Sequence, residues 1–136
     1  MQVIDHLGLQ VSNFSRALRF YKRALAPLGI SVVMQVTKEE SAGSEGAGFG
    51  KNGKPSFWIG AGQRVAPGVH VAFVAETRAA VDRFFEAALA AGGVDNGAPG
   101  IRAHYHPNYY GAFVLDPEGH NIEAVCHAAE QGTAHR

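Results

Sequence analysis

Two stretches of this chain can be laid over one another without a gap. "HLGLQVSNFSRALRFYKRALAPLGI", from His6, matches "HVAFVAETRAAVDRFFEAALAAGGV", from His70, at an offset of 64 residues. His6 falls on His70, Arg19 on Arg83, Phe20 on Phe84, Leu25 on Leu89 and Gly29 on Gly93. A period of about half of a 136-residue chain is too long for a solenoid unit, and it predicts a duplicated supersecondary module.

Each copy reads the same way. "VIDHLGLQV" alternates as a strand, with Leu7, Leu9 and Val11 on one face and His6, Gly8 and Gln10 on the other. Ser12 or Asn13 offers a helix cap, and Phe14, Ala17, Leu18, Tyr21, Ala24, Leu25 and Leu28 recur at helical spacing before Gly29. The second copy runs through "VHVAFVA", a cap at Thr77, an apolar stripe from Val81 to Leu89 and Gly92–Gly93. Strand-like runs follow in both halves: "ISVVMQV", a piece around Phe49 and "SFWIG", then a piece near 100–105, "GAFVLD" and "HNIEAVC". "DPEG", Asp116 to Gly119, has the Pro and Gly positions of a type I turn and predicts a hairpin. The expected fold is therefore α+β: two tandem βαβββ modules forming one curved mixed sheet around a cleft, with the helices on the convex side. The expected boundaries are one domain over 1–127, with module one at about 1–60, a linker at 61–68 and module two at about 69–127. A flexible tail is expected over 128–136.

Composition narrows the function by exclusion. Twelve basic and twelve acidic residues give no net charge, which argues against a nucleic-acid or anionic-membrane partner. Cys126 is alone, so an internal disulfide is impossible and a reducing, cytoplasmic setting is expected. No apolar run approaches the ~20 residues of a membrane helix, and no signal-peptide pattern opens the chain.

In "GHNIEAVCH" a carboxylate, Glu123, stands mid-strand on the face it shares with Asn121, Val125 and His127. Buried there, it would need a partner, because an unpaired buried charge costs several kcal/mol. Strand parity turns His6 and His70 toward the same expected cleft. Two imidazoles and one carboxylate suit Zn²⁺, Fe²⁺, Mn²⁺, Ni²⁺ or Co²⁺ and leave coordination positions open.

With "DHLGLQV", "GVHVAFV" and "DPEGHNIEAV" in order at module spacing, the chain resembles the vicinal oxygen chelate superfamily over roughly 3–127. That group includes glyoxalase I, extradiol dioxygenases, fosfomycin-resistance enzymes and bleomycin-binding proteins. The resemblance implies one divalent ion at His6, His70 and Glu123. It implies a small substrate bound through adjacent oxygens, with lyase or isomerase chemistry and possible pairing into homodimers. A metal-independent binding protein of the antibiotic-sequestering type and an extradiol-type dioxygenase are the alternatives. Two departures shape the choice. Aligning Gly53 with Gly119 sets Phe57 opposite Glu123, at the position of a fourth carboxylate in glyoxalase I-like members. Phe113 stands where the dioxygenases carry a catalytic tyrosine, which favours lyase or isomerase chemistry.

The remaining candidates come from "IRAHYHPNYYG". His104, His106 and Tyr109 are expected to move protons, as Glu123 is, while Arg102 and Tyr110 contact substrate. Phe57, Trp58 and Phe113 are expected to line the substrate pocket. His127 is placed at the cleft rim and His120 in solvent. The glycine-rich "GSEGAGFG" lacks the context of a phosphate-binding loop and is expected to form a mobile loop at the cleft mouth.

Overall fold

A computed structural model describes residues 3–40 and 44–129, so most of the expected tail, including His135, lies outside the described residues. Local chemistry explains each element. Strand β1 (Leu7–Val11) ends at Asn13, whose side chain accepts from the Arg16 amide at 3.0 Å and caps helix α1 (Phe14–Leu25). Pro27 converts the last turn to a 3-10 segment, Ala26–Leu28, which Gly29 closes at φ 78°. Strands β2 (Ser31–Val36), β3 (Gly46–Lys51) and β4 (Lys54–Ala61) complete module one. Module two repeats the order with β5 (His70–Val74), α2 (Arg78–Ala90) capped by Thr77, β6 (Val94–Ile101), β7 (Tyr110–Leu115) and β8 (Asn121–Cys126). The βαβββ duplication is thus the architecture. The sixth strand starts earlier than the sequence reading placed it. The glycine-rich run is largely strand β3 rather than a loop, its residues 46–50 half-buried or buried.

The strands form two separate four-stranded mixed sheets, ordered β1-β4-β3-β2 and β5-β8-β7-β6. No ladder joins β1 to β5, so the expected single curved sheet is replaced by two, each with its first strand as an unpaired edge. The helices pack on one another. Phe20 of α1 reaches across to Gly93 and Val114 of module two, and Phe57 meets Phe73 edge-on at 5.2 Å. Apolar inner faces therefore meet at the shared core, leaving the faces that carry His6 and His70 outermost.

Register decides which residues correspond. Gly8 pairs with Trp58 in module one, and Ala72 pairs with Glu123 in module two. Since Gly8 and Ala72 correspond in the repeat, Trp58 is the counterpart of Glu123; the sequence alignment through Gly53 and Gly119 was off by one. Those glycines close different turns. Gly53 ends a two-residue Asn52–Gly53 hairpin with both φ positive, while Gly119 closes the longer Asp116–Gly119 turn and His120 precedes the strand.

A buried polar cluster ties the modules together. Tyr21 on α1 donates to Asp116 Oδ2 at 2.5 Å, and Asp116 Oδ1 accepts from the amides of Glu118 and His120. Glu118, itself buried, accepts from the Ser12 amide and hydroxyl at 2.7 and 2.8 Å. Burial raises the Glu118 pKa, but hydrogen bonds from Ser12 and Asn13 and the nearby Arg16 more than offset it and hold it below the ordinary value. His120 is fully buried behind this turn rather than solvent-facing.

Candidate functional site

Glu123 sits in β8 between β5 and β7, the two strands whose side chains flank it on the outer face. Its side chain is 1% exposed and fully partnered: Oε1 lies 2.8 Å from His70 Nε2, and Oε2 accepts from the Tyr109 hydroxyl. The carboxylate is thus held at both oxygens, which answers the burial cost raised by its place in the strand. Gly111 makes the close approach possible, since a Cβ there would come within 3.2 Å of Tyr109 Cε1 and 3.3 Å of Glu123 Oε2. Desolvation, then the bond and charge of Glu123, push the Tyr109 phenol up to about 12, so it keeps its proton at neutral pH.

These groups open onto a depression of about 460 Å³ lined by His70, Tyr105, His106, Tyr109, Phe113, Glu123 and His127. Tyr109 stacks edge-on against His127 at 5.2 Å, and His106 meets the same imidazole at 5.8 Å. Phe113, paired with Glu123 across the ladder, forms the wall 6.2 Å from the His70 ring. The loop 102–109 supplies the rim because its ends are pinned by the Arg102 amide donating to the Tyr109 carbonyl at 2.7 Å.

Other expected site residues lie elsewhere. Phe57 is 2% exposed, packed between Tyr21 and Phe73, so it is core and not a pocket wall. Tyr110 is turned to the opposite face, where it donates to Asp82 at 2.6 Å beneath the Arg78 guanidinium. Both follow from strand alternation: Tyr109 and Phe113 flank the outer face, and the intervening parity sends Tyr110 inward. His104 is exposed and stacks on the outside of Tyr105 at 4.1 Å. Arg102 lies over the Phe113 ring, 5.4 Å from its centroid, and donates to the Ala98 carbonyl.

His6 is also apart. Its ring borders a different depression, of about 560 Å³, with Gly8, Met34, Lys54, Pro55 and Trp58. Asp5 bonds His6 Nδ1 at 2.7 Å and Lys54 at 2.8 Å, and the lysine, with His6, holds its carboxyl below the usual range. Among the described residues no three His, Cys, Asp or Glu side chains group closely enough to hold an ion. One chain therefore offers two of the three expected donors, His70 and Glu123, and does not by itself fit the metal.

The model of the Glyoxalase/Bleomycin resistance protein/Dioxygenase superfamily matches residues 3–124. The chain belongs to that superfamily. Solved structures agree on the fold of this glyoxalase-superfamily chain. A glyoxalase/bleomycin resistance protein from Albidiferax ferrireducens is 24% identical, with a TM-score of 0.70, over 92% of this chain and 98% of that one. A family enzyme from Burkholderia phytofirmans is 20% identical, with a TM-score of 0.65, over 91% and 98%. Glyoxalase I from Zea mays is 18% identical, with a TM-score of 0.67, and the match covers 94% of this chain but 45% of that one. No curated protein matches significantly. No helix among the described residues is long and apolar enough to cross a membrane.

Tyr105, a phenol of the expected substrate-covering loop, lines the cleft of this superfamily member. One feature escaped the sequence reading. Asp5 and Lys54 are neighbours across β1 and β4, a pairing that needs the ladder register.

Proposed function

We propose that the chain is a glyoxalase-type enzyme that binds a small substrate through two adjacent oxygens and carries out lyase or isomerase chemistry. The observation behind this reading is Glu123, a buried carboxylate held between His70 and Tyr109 at the base of an open cleft. Such a group is placed to take a proton from a carbon beside a carbonyl. As Glu123 becomes protonated it accepts less strongly from Tyr109, whose hydroxyl is then free to donate to the oxygen where charge develops. His106 and His127, whose rings pack beside Tyr109 along the cleft wall, are the imidazoles placed to exchange protons with a bound substrate. Phe113 supplies a wall and no acid, which favours this chemistry over oxygen insertion.

Family members generally use a divalent metal and often form dimers. The missing donor in one chain is His6, and a second copy can supply it. With β1 and β5 both unpaired edges, the outer face of module one on one copy can cover that of module two on the other. His6 would then stand beside His70 and Glu123. A divalent ion there would polarise the two substrate oxygens.

Two experiments test this. With Zn²⁺, Mn²⁺, Ni²⁺ or Co²⁺ added, hydroxyacetone in D₂O should exchange protons beside its carbonyl, followed by NMR. Glu123→Gln should slow that exchange by about 10²–10⁴-fold. His6→Ala and Glu123→Gln should each abolish ion binding alone, yet a refolded equal mixture should regain about a quarter of the sites, because half the pairs keep one intact triad. No recovery would confine the triad to one chain or remove it. Neither ion uptake nor exchange in the wild type would leave a ligand-sequestering protein.

A further inference from the structure

The outer face of module one carries an indole at the ladder position where module two has its carboxylate. Trp58, the register counterpart of Glu123, lies across β3 above Gly48: a Cβ at Gly48 would come within 2.9 Å of Trp58 Cε2 and Cζ2, and within 2.8 Å of Pro55 Cβ. Gly8, its partner on β1, leaves the other flank open, with Trp58 Cβ 3.9 Å from a would-be Cβ. One face of the indole is therefore pressed on bare backbone, and the ring borders the depression of about 560 Å³ whose rim is Met34, Pro55, Lys54 and His6. Met34 is 49% exposed there, a soft side chain suited to the edge of an aromatic ring. The charged rim is already neutralised within itself, since Asp5 engages both Lys54 and His6. A volume in the range of small-molecule sites, an aromatic platform and no unmatched charge select for shape and π-surface and not for an ion.

We propose that this depression is a binding site for an uncharged planar aromatic ring, which stacks on Trp58 beside Met34. Its lining residues all come from module one, so binding of the ring needs neither an ion nor a second copy. In a paired assembly it would hold the aromatic part of a substrate whose oxygens face Glu123 of the second copy.

Trp58 is the chain's one tryptophan, so emission excited at 295 nm reads this site directly. p-Cresol should change that emission saturably, whereas 4-methylcyclohexanol, with the same substituents and no planar ring, should bind about tenfold more weakly. 4-Methylbenzoate, which adds a charge to the ring, should bind no better than p-cresol. By calorimetry, Trp58→Leu should remove p-cresol binding, and Gly48→Val, which displaces the indole, should weaken it about tenfold with the circular dichroism of the fold retained. A linear, unsaturable emission change, equal binding of the two alcohols, or p-cresol binding unchanged in folded Trp58→Leu would each overturn the proposal. Stronger binding of 4-methylbenzoate would overturn the choice of an uncharged ligand.

Discussion

The two outer faces of this molecule share one repeated pattern and differ in the side chains they present. Module two has an imidazole and a phenol, His70 and Tyr109, each bonded to one oxygen of the Glu123 carboxylate. Module one keeps the imidazole at His6 but puts Trp58 at the carboxylate's place and glycine around it. One ladder position separates a face with a buried, hydrogen-bonded carboxylate from one that carries an indole. The difference teaches that a duplicated fold preserves the backbone register while leaving each outward position free to change, since outward side chains contribute little to the shared core. The inward neighbours Phe57 and Ile122 both remain buried and apolar.

The widest test of that contrast sets Phe57 against Trp58. Phe57→Ala opens a hole among Tyr21, Phe49 and Phe73 and should cost about 3–5 kcal/mol in chemical denaturation. Trp58→Leu, one residue on, should cost about 1 kcal/mol or less because its side chain lies on the outer face. Equal losses would mean that the register assigned to β4 is wrong.

A smaller effect concerns how the two faces are held in relation to one another. Ser12 and Glu118 bridge the modules, and Glu118 titrates below its ordinary value in the folded chain. Its contribution is complete above the ordinary carboxylate pKa and is lost as pH falls through the depressed folded value. Glu118→Gln should therefore lower stability by about 1 kcal/mol at pH 7, and the gap to wild type should close as pH falls through the acid range. Thermal melts at pH 7, 5 and 3 would show it; a gap that stays constant would remove the charge from the explanation.

The smallest effect sharpens the chemistry of module two. Tyr109, at about 12 in the folded chain, should still be protonated where an ordinary tyrosine has ionised. In Glu123→Gln its ultraviolet titration should move toward 10, though burial would keep part of the shift. An unmoved titration would leave burial alone as the cause and weaken the link between the phenol and the carboxylate.

Much of this was legible in the chain. The gap-free repeat gave both βαβ starts, Thr77 and Asn13 their caps, and alternation set Glu123 on an outer face, because periodicity and capping are local chemistry. The site was legible only in part. His70 and Glu123 meet because β5 and β8 are neighbouring parallel strands, a pairing that the residue pattern alone does not specify. Alternation sends the adjacent Tyr109 and Tyr110 to opposite faces, but which of them joins Glu123 was decided only once β7 had a register. Phe57 was misplaced because two glycines that look equivalent close turns of different length.

The sequence by itself determined two modules, their strand and helix order and the residue types available on each outward face. Those follow from hydrophobic period and turn chemistry, which act over a few residues. Only the tertiary structure decided that the modules join through their helices and inner aromatic rings rather than edge to edge. That choice rests on burying Phe20, Tyr21, Phe57 and Phe84 in one core, an interaction between positions as far apart as Tyr21 and Asp116 that no local pattern encodes. It is also what parts His6 from His70 within a chain and leaves each outer face open to a ligand or a second copy.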